Sequence, residues 1–239
     1  MPITVHSSSP SLVSGNAVSV TTGSFSPPAG ALLVACQMTK YDSTMTLSNT
    51  GSALSWTQRV TQINTNGIAA IYTAPAISQF MTVTGTLDFF GGGTTAAMAL
   101  KIYVLAGADM TQPIGTTGST NSSGVQNWTF SAYTSTAADS LGICAASDDY
   151  QTSTPASTDV AESFNVSASS GSNWLSGMSI RKAATTPVPG TSVTFDIQSG
   201  EASASTRWAV AAVEIRAAAT SSPQRPLIPA CAVHRASAW

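Results

Sequence analysis

The stretch "MTVTGTLDF", residues 81–89, alternates strictly: Met81, Val83, Leu87 and Phe89 fall on one side of an extended chain, Thr82, Thr84, Thr86 and Asp88 on the other. Successive side chains of a strand point to opposite faces, so the pattern predicts a half-buried β-strand, whereas a helix would scatter the same apolar groups around its circumference. "SVTFDIQ" repeats the device with Val193, Phe195 and Ile197. Further strands are predicted over Ala17–Thr22, Ala31–Thr39, Ser55–Thr61, Ile68–Ala74, Ala97–Leu105, Gln126–Tyr133, Leu141–Ser147, Ser163–Ala168, Leu175–Lys182 and Arg207–Arg216. Between them "SPPAGA", "SNTGS" and "FFGGGTT" supply the Gly, Pro, Asn and Ser that turns require. No stretch joins a helical apolar period to caps, so the chain is expected to be all-β, a jelly-roll-like antiparallel β-sandwich.

A weak internal two-fold repeat is visible when the halves are laid side by side. One half, about 16–109, runs "LLVACQMTKYD", "SWTQR", "GIAAIYTAPA", "MTVTGTLDF", "AAMALKIYVLAGA"; the other, about 125–219, runs "LGICAASDDY", "SNWLS", "GMSIRKAAT", "TSVTFDI", "RWAVAAVEIRAAA". On this match Cys36 corresponds to Cys144. The halves form either one jelly roll or two small sandwiches in tandem; a single domain over 16–219 is favoured, with "AGADMTQPIGTTGSTNSSG" as the crossing loop and the two most apolar strands paired at its centre. Residues 1–15 read as an N-terminal arm and 220–239 as an extended C-terminal arm.

Only 8% of the 239 residues are charged, and nine basic against eleven acidic residues leave a net charge of −2. Such a surface is mostly hydroxyl and amide and lacks the basic footprint of a nucleic-acid or anionic-membrane binder. "MPITVHSSSP" has neither a basic nor an apolar signal region, and the most apolar run, Thr94–Ala108, is shorter than a membrane span and interrupted by Lys101. A soluble protein made in a cytoplasm is expected. Cys36, Cys144 and Cys231 have no metal-type spacing, and the first two read as buried free thiols.

Candidates for chemistry are few. His6 and His234 stand at opposite ends of the chain without a carboxylate or cysteine at ligand spacing, and no G-x-S-x-G elbow accompanies the many serines. The three glutamates are Glu162, Glu201 and Glu214. A Glu201–Glu214 or Asp148–Glu162 pair is the glycosidase option; the plainer reading puts Glu201 in a turn and points Glu214 outward beside Ile215. "SDDYQ" (147–151) offers two acids to a calcium ion, against turn chemistry as the ordinary role of such a pair. "GGG" (91–93) lacks the lysine and helix of a phosphate loop. No cofactor motif and no metal site emerge. Trp56 and Trp208 read as core, as by default do Trp128 and Trp174, which sit near Ser/Asn-rich loops and are the possible glycan-stacking pair. Trp239, ending a Pro-containing tail, is expected to fill a pocket.

The series "SPPAGALLVACQMT", "LSWTQR", "GIAAIYTAPA", "AAMALKIYVLAGADMTQPIG", "RWAVAAVEIRAAA" is similar to a broad class of two-part β-sandwich virion proteins of tailed bacteriophages and prophages. The resemblance covers roughly residues 16–218 and marks a scaffold rather than a site. It implies a head-decoration or minor tail protein in the virion, without catalytic residues. Partners would then be major capsid or tail proteins and copies of the chain itself, symmetric oligomers such as trimers suiting capsid axes. The tail, with Arg225, Leu227, Ile228, Val233, Arg235 and Trp239, is expected to dock on such a partner, its X-Pro bonds limiting the entropy lost. The alternative is a carbohydrate-binding receptor-recognition module using Trp128 and Trp174. A glycan-cleaving enzyme ranks last.

Overall fold

The computed structural model describes residues 2–40, 44–88, 96–150, 152–166, 174–200 and 206–219. The described chain is all-β, an antiparallel sandwich, with no helix among the described residues. The proposed C-terminal arm, Cys231, His234, Glu201, Phe89 and the triple glycine lie outside the described residues.

The first large sheet contains β1 (Thr4–Val5), β2 (Val13–Ala17), β4 (Leu32–Lys40), β6 (Thr57–Asn64), β7 (Gly67–Pro75) and β9 (Ala96–Ala106). Its order is β1-β9-β4-β7-β6, with β2 also on β9. The second is β10-β16-β12-β14-β13, built from β10 (Ile114–Ser123), β12 (Leu141–Asp148), β13 (Val160–Val166), β14 (Leu175–Arg181) and β16 (Arg207–Ile215). Two small sheets complete the fold. One is β3-β8-β5, from β3 (Ser19–Thr21), β5 (Thr44–Asn49) and β8 (Val83–Asp88); the other is β11 (Asn127–Thr134) paired with β15 (Ser192–Gln198).

Three apolar clusters define the layering. One joins β4, β7 and β9 to the three-stranded sheet through Leu33, Leu100, Val83 and Leu87. Another joins β12, β14 and β16 to the two-stranded sheet through Met178, Trp208, Phe130 and Phe195. The third lies between the two large sheets, where Val34, Met38, Ile71 and Leu105 meet Ile143, Val213 and Ile215. The sheets therefore stack four deep. All nine residues of β4 and all eight of β12 are buried, because both faces of a middle layer are covered, and such strands read as apolar runs rather than as alternation.

The repeat is visible in the pairing: β9-β4-β7-β6 and β16-β12-β14-β13 follow the same order. Leu32 pairs with Leu105, and Leu141 with Ile215. This register makes Cys144 the counterpart of Ala35, not of Cys36. A one-residue slip exchanges faces, so Cys36 points into the central core and Cys144 into the second outer core. Both are buried free thiols.

Several sequence expectations change. The supposed crossing loop contains β10, ten residues of "IGTTGSTNSS" paired along β16, so the second half begins near Ile114 rather than 125. Its small residues are required: a Cβ on Gly118 would stand 1.8 Å from the Ala132 carbonyl oxygen of β11. The N-terminal arm read over 1–15 is, in its described residues, tied into the first large sheet, where β1 and β2 both pair with β9. Ala17–Thr22 is two strands, because the chain leaves the first large sheet at Val18 and enters the three-stranded sheet. β9 and β16 do not pair with one another; each lies inside its own sheet.

Candidate functional site

A polar cleft lies on the seam between the large sheets, beneath the N-terminal segment. Alternation explains its composition. Leu100 and Ile102 of β9 face the first outer core, so Lys101 and Tyr103 face the seam; Met178 and Ile180 of β14 face the second outer core, so Ser179 and Arg181 face the seam from the other side. The Ser179 hydroxyl donates to Tyr103 Oη at 3.0 Å. Lys101, only 3% exposed, pairs with Glu162 of β13 and donates to the Pro10 carbonyl at 2.8 Å. Glu162 in turn accepts from the Leu12 amide at 2.8 Å.

The N-terminal segment is fastened over this pair. His6 N donates to the Val104 carbonyl, and Ser9 Oγ donates to the His6 carbonyl while accepting from Val104 N. The His6 ring bonds Ser8 Oγ through Nδ1 at 2.8 Å. The cavity beneath has a volume of about 270 Å³, and Val5, Val160 and Ala161 share its walls with the polar groups. Burial pushes the Cys36 thiol up to about 12, against the opposing pull of Ser179 and Lys101, and pushes the Tyr103 phenol well above its ordinary range. At neutral pH both remain protonated, while Lys101 and Glu162 hold each other.

A second polar cluster closes the opposite end of the seam. Asp148 Oδ1 accepts from Tyr150 N at 2.9 Å and Oδ2 from Arg207 N at 2.8 Å, so the first acid of "SDDYQ" ties a turn to β16. Lys40 Nζ donates to the Asp149 carbonyl at 3.0 Å; Arg207 lies 4.0 Å from Asp149 Oδ2 and 4.9 Å from the Tyr150 ring centre. Burial raises the Asp149 carboxyl despite Arg207 and Lys40, and burial lowers the Lys40 ammonium. No cluster of three His, Cys, Asp or Glu suited to a metal occurs among the described residues.

Glu214 does not alternate outward. It is fully buried, and its carboxylate accepts from Ser135 Oγ, Thr136 N, Thr136 Oγ1 and Ala137 N, pinning the loop between β11 and β12. Burial pushes its carboxyl up, yet the bonds from Thr136, Ser135 and Ser140 outweigh burial and hold it below the usual range. Gly115 makes room, since a Cβ there would fall 2.1 Å from Glu214 Oε2.

The Asp148–Glu162 pair is not assembled, since Glu162 is on β13 and Asp148 at the end of β12 two strands away; of the Glu201–Glu214 pair, Glu214 lies beside the second outer core and Glu201 is outside the described residues. Trp208 is fully buried, and Trp56 packs on the first outer core. Trp128 is half-buried on the second outer core, tilted against Phe130 at 5.6 Å between ring centres, while the half-buried Trp174 precedes β14 in a different sheet. Sequence reasoning passed over Arg181, Tyr103 and Ser179, whose meeting depends on how the two sheets register across the seam. Of the candidate residues weighed from the sequence, Glu162 and His6 line this cleft, joined by Lys101, which the sequence marked only as a charge within an apolar run. No family model, no curated protein and no solved structure matches the chain.

Proposed function

We propose that the chain is a non-enzymatic structural component of a tailed-bacteriophage particle, either a capsid decoration protein or a minor tail protein. One observation carries the reading: the ionisable groups of the interior serve as fasteners between layers. Lys101 with Glu162 joins the first large sheet, the second and the N-terminal segment; Arg207 and Lys40 meet Asp149; Glu214 anchors a loop; Lys182 pairs with Asp159 at 2.5 Å. A block so fastened suits a load-bearing module, and its weakly charged surface suits a crowded lattice. On this reading the protein is made in the host cytoplasm, assembles with capsid or tail proteins and with copies of itself, and docks through Arg225, Leu227, Ile228, Val233, Arg235 and Trp239 of its C-terminal segment.

The test compares particles carrying the full chain with particles offered a chain ending at Ala219. The full chain should co-purify with virions, and the shortened chain should be lost from them or stripped at lower salt. Unchanged occupancy and salt resistance of the shortened chain would refute the docking role, and absence of the full chain from virions would refute the particle role.

A further inference from the structure

We propose that the seam cleft beneath the N-terminal segment binds a sugar acid through Arg181. The inference is independent of the particle reading and stands on the charge balance of the cleft. Lys101 and Glu162 neutralise one another and have further partners in Pro10 and Leu12. Arg181 is different: among the described residues it forms no ion pair, and its guanidinium donates from Nη1 to the Lys182 carbonyl at 3.3 Å. It is half-buried, and it lines both this cleft and a neighbouring one bounded by Ile3, Leu141 and Thr185. A guanidinium carries a fork of N–H donors matched to the two oxygens of a carboxylate, so a half-buried one with donors to spare is a receptor for an oxyanion.

Charge and size narrow the ligand. With Arg181 the one lysine or arginine of the lining without an ion pair among the described residues, and the Glu162 carboxylate in the same wall, the cleft favours a single negative charge over a phosphate dianion. A volume of about 270 Å³ is small for a ligand pocket and accommodates one pyranose-sized ring. Val160, 39% exposed at the rim, together with Val5 and Ala161 gives that ring a C–H face, and Ser7 and His6 supply polar contacts to hydroxyls. The cleft opens to solvent on one side. It can therefore take a sugar acid either free or as one residue of an acidic polysaccharide.

The test titrates the full-length chain with sodium glucuronate, glucose, inorganic phosphate and a glucuronate trisaccharide, read by amide NMR. Glucuronate should saturate with a dissociation constant of about 1 mM or tighter, as a ligand of this size allows. Resonances of Val5, His6 and Arg181 should shift, glucose should leave them unmoved, and phosphate should bind at least tenfold more weakly. Arg181→Gln should weaken glucuronate at least tenfold, and Val160→Trp should block the rim to the same effect; Arg59→Gln, whose Nε is bonded to Thr73 instead, should change nothing. If Arg181→Gln fails to fold, Val160→Trp decides. A trisaccharide bound as tightly as the monomer identifies polysaccharide as the source, and its rejection identifies the free acid. No saturation, equal affinity for phosphate or glucose, or indifference to both cleft substitutions would overturn the proposal.

Discussion

Replacing Gln37 by methionine should make the protein more stable. Gln37 sits on β4 with its side chain directed into the first outer core near Gly85, fully buried, and neither its Oε1 nor its Nε2 has a hydrogen-bond partner. Each such orphaned group costs about 1–3 kcal/mol of desolvation that nothing in the folded state returns. Methionine keeps the unbranched shape and removes both polar atoms, while a near-isosteric swap gives back under about 1.5 kcal/mol in repacking. Two such groups, at about 2–6 kcal/mol together, less up to about 1.5 kcal/mol for repacking, leave a net gain of at least about 0.5 kcal/mol, and at about 2–4 °C per kcal/mol for a chain of this length the thermal midpoint should rise. The register supplies a control: Ala146, the counterpart in the second half, is buried in the same orientation, so Ala146→Gln should destabilise both by overpacking and by burying a second orphaned amide. Differential scanning calorimetry of the three proteins decides. A fall in midpoint for Gln37→Met equivalent to more than about 1 kcal/mol would show that the amide has a partner, such as a buried water, and would refute the reasoning.

Other substitutions probe the remaining fasteners. Gly118→Ala drives a methyl into the backbone of β11 and should cost at least about 3 kcal/mol, read as a midpoint lowered by roughly 10 °C or as loss of folded protein. Glu214 is held below its ordinary range when folded, so it stabilises above the unfolded value of about 4.3 and that contribution is lost as pH falls through the folded one. Glu214→Gln should therefore lower the midpoint at pH 7 and flatten its decline on acidification; an unchanged acid profile would contradict the assignment. A double-mutant cycle of Lys101→Met and Glu162→Gln should give a coupling of only about 1 kcal/mol, since Glu162 is 41% exposed and screened by solvent. Cys36 and Cys144, both fully buried and with thiols pushed up by burial, should resist alkylation at pH 8 in the native protein and react only on unfolding, as peptide mass mapping would show.

The strands of the middle layers were legible because covering both faces forces apolar runs, as in β4, β9 and β16. β10 was not, because its place at the sheet edge against β11 selects Gly, Ser and Thr, the same residues that make loops. Glu214 misled for a related reason: alternation sets which face a side chain takes, but whether that face meets water or the Ser135–Ala137 turn is a tertiary fact. The cysteine match failed by one residue, which only pairing could detect. In the seam cleft, Lys101 stood out as a charge within an apolar run and Glu162 as one of three glutamates, whereas Arg181 and Tyr103 acquired their setting from two sheets that are far apart in sequence.

The central claim, a structural role in a phage particle, is tested most directly by electron micrographs of purified virions labelled with antibody against this chain. The account predicts label at regular positions on heads or on tails of every particle. Virions without label, alongside ample protein in the lysate, would contradict it.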